Sequence, residues 1–261
     1  MTAKRHRDWT RDELLIVYNF YCRTSFGRMH QRNPRVIEIA EHLGRTPGAV
    51  AMKLCNFAHF DPALEERKVR GLSGASHQDR AIWDEFRADW TRLGLESQEA
   101  MARICGPGRL LAEAGLVMPR GPSETVRAVR VRLVQAFFRQ AVLASYVGRC
   151  AICALAVPRL LMAGHIIPWH VSRERRADPT NGLALCALHD RAFDAGLIGV
   201  DESMRVMVTD AVHCDRPPPL HRVGLLDIEG SRLAKPRRFA PDPKAIAWHR
   251  ENIFGHDDGP F

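Results

Sequence analysis

The chain has 261 residues, 46% of them apolar and 26% charged, with a formal net charge of +8. At about 150 residues per domain it holds one to three domains, and its composition excludes a disordered protein. Its longest apolar stretches, such as Leu14 to Tyr18 and Ala141 to Val147, fall well below the roughly 18 residues that cross a bilayer.

Seven cysteines, an odd number, argue against a disulfide framework. The basic start is broken by Asp8, Asp12 and Glu13 with no apolar leader behind it, so a cytoplasmic location with reduced thiols is expected. Arginine carries nearly all the positive charge, and its planar fork suits phosphate better than an ammonium does. Between Glu124 and Glu174 there is no acid, while Arg127, Arg130, Arg132, Arg139 and others fall inside. A surface facing a polyanion is expected there, although a genome's base composition can also favour arginine over lysine.

In chain order, Leu14, Leu15, Tyr18 and Tyr21 repeat at helical spacing behind Thr10, which is placed to cap. Val36, Ile37, Ala40 and Leu43 give a second helix, ended by Gly44. Thr46 and Pro47 open a third carrying Val50, Leu54 and Phe57 inward. Residues 9–58 thus resemble a helix-turn-helix of the Myb-like or homeodomain-like trihelical kind, which implies that Arg45, Lys53 and Asn56 face DNA. The alternative is a small helical bundle that makes protein contacts only. Helix continues from about Asp61 to Gly106, where Ile82, Trp83, Phe86 and Trp90 form a core stripe. Repeated Gly and Pro over 106–122 predict a linker, followed by a helix from about Ser123 to Tyr146.

The chemistry-bearing pattern comes next. Cys150-Ala-Ile-Cys153 and Cys186-Ala-Leu-His189 are two pairs of equal spacing that offer three sulfurs and one nitrogen, a shell suited to tetrahedral zinc. A redox Cys-x-x-Cys normally lies between a strand and a helix, whereas a helix precedes this one. Between the pairs, the strand-like run Leu160 to Trp169 delivers His165 just before a proline stop, and Asn181-Gly-Leu-Ala-Leu-Cys186 leads into a helix with Asp190, Phe193 and Asp194. Alone, a histidine on such a run is more often a core or surface residue, Asn-Gly is a common turn, and two acids one helical turn apart are a solvated face.

Taken together, Gly-His-Ile-Ile-Pro-Trp, Asn-Gly-Leu-Ala-Leu-Cys and Phe-Asp-Ala-Gly-Leu resemble the HNH endonuclease family, the ββα-metal or His-Me finger nucleases, over about Val126 to Asp210. The resemblance implies His165 as general base, Asn181 as the residue positioning the base and its loop, and Asp190 as the last ligand of a catalytic Mg2+ or Mn2+, with Asp194 as a further ligand. Cys150, Cys153, Cys186 and His189 would then hold a structural zinc. Many members carry Asp or His immediately before the base, and Gly164 stands there instead.

The hairpin read from Val200, Val206 and Val208 flanks this core, and a last helix near Pro243 to Ile253 is expected to dock on it, with no role for His249. The expected fold is mainly α with a small α+β module. Residues 1–105 form the helical DNA-binding domain, 106–122 the linker, 123–212 the zinc-stabilised HNH nuclease domain, and 213–261 an extension packed on it. The expected function is metal-dependent hydrolysis of double-stranded DNA, with Arg127 and Arg130 among the DNA contacts; no membrane partner is expected, and a homodimer is compatible. Restriction or phage defence is the setting that the resemblance permits. The competing readings are a zinc-stabilised DNA-binding regulator with a dead site, and an RNA-directed nuclease.

Overall fold

The computed structural model describes residues 7–66, 74–106 and 126–256, and the chain divides into two compact units, 1–136 and 137–261. All of the linker expected over 106–122 except Gly106 lies outside the described residues, as do Ser123 and the side chains of Arg127 and Arg130.

In the first unit, α1 (Arg11–Cys22) starts at a reciprocal capping box in which Thr10 accepts from Glu13 N–H and Glu13 accepts from Thr10 N–H. α2 (Pro34–His42) and α3 (Pro47–Ala58) open with Asn33 and Thr46 as caps and proline in the first turn, where a missing N–H costs nothing. α4 (Pro62–Glu66), α5 (His77–Ala88) and α6 (Trp90–Cys105) replace the continuous helix expected over 61–106. Each of the last two has its own side-chain cap, Ser76 and Asp89. The stripe read on α1 is in fact a helix buried on all sides from Glu13 to Cys22, because α3, α5 and α6 all pack on it. The Tyr18 ring lies 4.5 Å from Phe86, 4.8 Å from Phe57 and 5.5 Å from Trp83 between ring centroids. The trihelical unit is therefore part of a larger helical bundle centred on α1, with the Trp83 and Phe86 stripe as its core.

α7 (Val126–Ser145) runs across the division between the units, and its end turns through left-handed Val147 and Gly148 into Cys150. β1 (Leu161–His165) and β2 (Gly182–Cys186) are antiparallel, with Leu161 opposite Cys186 and His165 opposite Gly182. α8 (Ala187–Asp194) follows β2 without a break. A second hairpin, β3 (Ile198–Val200) and β4 (Val206–Val208), forms where alternation predicted it. Pro219–His221 and Arg222–Leu226 make one short helical segment whose second part is π-type, and α9 (Pro243–Asn252) packs on β3. Phe138, Val142, Leu183, Leu185, Phe193, Ile198, Val206 and Ile246 lie in one core that supports the β1–β2–α8 unit. Among the described residues no helix is long and apolar enough to cross a membrane.

Candidate metal centre and active site

The donor atoms of Cys150, Cys153, Cys186 and His189 all lie within 4.8 Å of one another. His189 Nδ1 is 3.4 Å from Cys150 Sγ and 3.3 Å from Cys186 Sγ, and Cys153 Sγ is 3.9 Å from Cys186 Sγ. The edges of a tetrahedron around zinc, from its usual bond lengths, are about 3.5 Å for S to N and about 3.8 Å for S to S. The residues present fit such an ion. The first pair stands on the turn that leaves α7, tied to β2 by Ala151 N–H donating to Ala184 O at 2.7 Å. The second pair spans the junction of β2 and α8.

The two thiols of the first pair are pushed in opposite directions. Burial opposes ionisation of Cys150, but hydrogen bonds from His189 and from the backbone N–H groups of Cys153 and Ile152 outweigh it and bring the thiol to about 6. Burial, with the adjacent Cys150 and Cys186 sulfurs, pushes Cys153 up to about 12. A bound cation would deprotonate a coordinating thiol outright and remove that conflict. His189 Nε2–H donates to Gly224 O at 2.8 Å, which turns Nδ1 toward the sulfurs; the Nδ1 proton given to Cys150 raises the imidazole pKa against burial, and a bound ion would take that proton's place. Gly224 belongs to the π-type turn, a contact for which the sequence carries no pattern.

His165 ends β1. Its ring stacks on Phe138 at 3.8 Å and 8°, and Nε2–H donates to Arg176 O at 3.1 Å. That bond leaves Nδ1 with its lone pair, the form a general base needs. Burial lowers its pKa, the bond to Arg176 O opposes this, and the Arg176 charge lowers it again; the net direction is down, so the ring is neutral at pH 7. Asn181, 1% exposed, closes the loop behind it. Its Oδ1 accepts from Ile167 N–H at 2.9 Å, its Nδ2 donates to Ile167 O at 3.0 Å, and its backbone O accepts from Ile166 N–H at 2.9 Å. The loop 166–181 is thus fastened immediately after the histidine.

Asp190, in the first turn of α8, lies against the strand residue that precedes His165. A Cβ built on Gly164 would stand 2.6 Å from Asp190 Oδ1. That oxygen is buried and has no hydrogen-bond partner. Burial, then the charge of Asp194, raises the carboxyl to about 6 against the pull of Arg139. Burial also raises Asp194, an exposed-side carboxylate one turn later. A buried carboxylate oxygen with no donor is costly unless a cation or water completes it. Carboxylate oxygen is the donor type that a hard divalent ion takes.

Residues 150–201 match the HNH endonuclease family model. A search of curated proteins found no match to the chain. The HNH match opens on Cys150, spans both cysteine pairs, His165, Asn181, Asp190 and Asp194, and ends at the hairpin. α7, the π-type turn and α9 lie outside it, yet Phe138, Gly224 and His249 reach into the HNH segment from those elements.

The three residues expected to face DNA in the first unit are spent inside it. Arg45 donates to Glu13 from Nε at 3.1 Å and Nη2 at 2.8 Å, and to the Arg7 and Asp8 carbonyls. Lys53 Nζ donates to both oxygens of Asp79 at 2.9 and 3.0 Å, and Asn56 Nδ2 donates to Asp79 at 3.4 Å. Trp9 lies beneath both cations, 4.3 Å from Arg45 Cζ and 5.2 Å from Lys53 Nζ. Lys53 is 7% and Asn56 9% exposed. The side of α3 turned outward carries Gly48, Ala51, Met52 and Cys55, beside Met29 and His30, with no fixed charge among them.

Proposed function

We propose that the chain is a metal-dependent HNH endonuclease that hydrolyses phosphodiester bonds of double-stranded DNA. The observation that carries this reading is the buried Oδ1 of Asp190, without a hydrogen-bond partner among the described residues, lying against the residue that precedes a histidine whose Nδ1 keeps its lone pair. Gly164, which departs from the family pattern, leaves the strand bare at the point that the carboxylate occupies. This favours a working site over the dead-site regulator.

In the proposed reaction His165 Nδ1 takes the proton of the attacking water as it closes on phosphorus. The Arg176 carbonyl holds the Nε2–H and steadies the imidazolium that forms. A hard divalent ion held by Asp190 and Asp194 would supply polarisation of the scissile phosphate and neutralise charge on the leaving 3′ oxygen. The family resemblance implies 5′-phosphate and 3′-hydroxyl products. The cysteine pairs clamp the turn after α7 to the start of α8, and so hold Asp190 against β1.

The test is incubation of the purified chain with plasmid and Mg2+ or Mn2+, beside His165→Ala, followed by competition with duplex DNA, single-stranded DNA and RNA at one stated salt concentration. Metal-dependent cutting that the variant lacks, competed best by duplex DNA, is expected. Cutting no greater than that of the variant would favour the regulator. Preferential competition by RNA would favour the RNA-directed nuclease.

A further inference from the structure

We propose that Arg176 contacts substrate in this site, its guanidinium clamping the phosphodiester presented to His165. This rests on the nuclease reading above. Arg176 stands in the loop between β1 and β2, and its backbone O takes the His165 Nε2–H at 3.1 Å. Its own Nε donates to Trp169 O at 2.9 Å, and its Cζ lies 4.7 Å from the Trp169 ring centroid. The Trp169 ring meets the His165 ring edge-on at 5.7 Å. Base, indole and guanidinium therefore form one connected stack.

The neighbouring arginine in the run is engaged elsewhere, since Arg175 pairs with Asp178 and Asp242. Arg176 pairs with no carboxylate among the described residues, and its single side-chain hydrogen bond uses Nε. Among the described residues both Nη groups remain as donors. An arginine fixed by Nε and by a ring face has lost its side-chain freedom before any ligand arrives, which lowers the cost of binding. The donors it keeps form the fork that matches two oxygens of a phosphate. The positive charge also helps to keep His165 neutral, so the group that would bind phosphate favours the basic form of the catalyst.

The experiment compares wild type, Arg176→Ala, Arg176→Gln and Arg176→Lys, each checked for melting temperature and zinc content. It measures single-turnover cleavage of a duplex in Mn2+, and duplex affinity across a salt series in Ca2+. Arg176→Gln keeps a donor for Trp169 O without the charge. The Ala and Gln variants are expected to cleave about 100-fold to 1,000-fold more slowly and to lower the salt slope by about 1. The Lys variant is expected to recover the slope but less than about a tenth of the rate, because an ammonium lacks the fork. Wild-type rates in the Gln variant, full rescue by lysine, or a slower rate with an unchanged salt slope would overturn the proposal. If the wild type itself does not cut, the nuclease reading fails, and the salt slope still decides whether Arg176 holds phosphate.

Discussion

Gly164 and Asp190 claim one space. A side chain at position 164 would begin 2.6 Å from Asp190 Oδ1, closer than any real Cβ contact, so glycine on β1 is what lets the first turn of α8 bring its carboxylate against the strand. The departure from the family pattern at 164 and the placement of Asp190 are thus one feature.

Gly164→Ala is expected to drive the Asp190 carboxylate away from the strand. Mn2+ affinity and Mn2+-supported cleavage should fall by about tenfold to 100-fold, the scale of lost support around a metal ligand. The melting temperature should hold, because alanine suits a strand better than glycine does. Titration of the cleavage rate with Mn2+ and a thermal melt check both parts; unchanged metal dependence would mean that Asp190 acts from elsewhere.

Metal analysis of the purified chain is expected to find one zinc per molecule, bound by Cys150, Cys153, Cys186 and His189. Cys186→Ser should lose it and destabilise the second unit, since the binding energy of a structural zinc is folding energy. His189→Cys keeps four donors and should retain the metal, while His189→Ala should not. Retention of zinc by Cys186→Ser would contradict the four-ligand site.

Much of this site is legible in the sequence because its chemistry is local. Two ligands three positions apart must turn toward one ion, and a strand histidine, a loop asparagine and a helix acid come in a fixed order. What escapes is long-range. Arg45 and Lys53 read as surface cations, since nothing near them in the chain announces that Glu13 and Asp79 will meet them in a buried core. The apolar stripe on α1 underestimates its burial because polar positions are taken inside the bundle as well, such as Asn19, whose Nδ2 donates to Ser97 of α6. Arg176 hides in the run Arg-Glu-Arg-Arg, where charge alone cannot tell a braced guanidinium from a solvated one. Gly224 and His249 belong to the extension, where no periodic pattern marks a contact.

Lys53→Ala is expected to cost about 3–5 kcal/mol, because it takes the paired cation from the fully buried Asp79 carboxylate and leaves it only the Asn56 and Ser76 N–H donors. Lys53→Met combined with Asp79→Asn, which keeps an acceptor for Ser76 N–H and Asn56, should recover part of that loss. Duplex affinity of the folded fraction should not change in either variant. Denaturant titration and a binding assay at fixed salt measure the two effects separately; a weakened salt slope would mean that Lys53 reaches phosphate.

His249 supplies a pH dependence of stability. It is 1% exposed, stacks on Phe193 at 3.6 Å, donates Nε2–H to Phe193 O at 3.0 Å, and its Nδ1 has no partner. Burial pushes its pKa down to about 4, below the unfolded value of about 6.5. The unfolded chain therefore binds the proton more readily, and stability falls as pH drops from about 6.5 toward 4, by about 3 kcal/mol in all. In His249→Phe the ring contact stays and the titration goes, while acid loss from the zinc ligands is common to both proteins. The difference between their melting curves across that window should shrink the wild type's advantage toward acid. A constant difference would show that His249 does not titrate there.

The most direct measurement of the central claim is the single-turnover rate of duplex cleavage as a function of Mn2+ for wild type, His165→Ala and Asp190→Ala, all with zinc bound. The account predicts saturable, metal-dependent cutting by the wild type, its loss at every Mn2+ concentration without His165, and its loss or a large rise in the Mn2+ required without Asp190. Wild-type rates in either variant would contradict it.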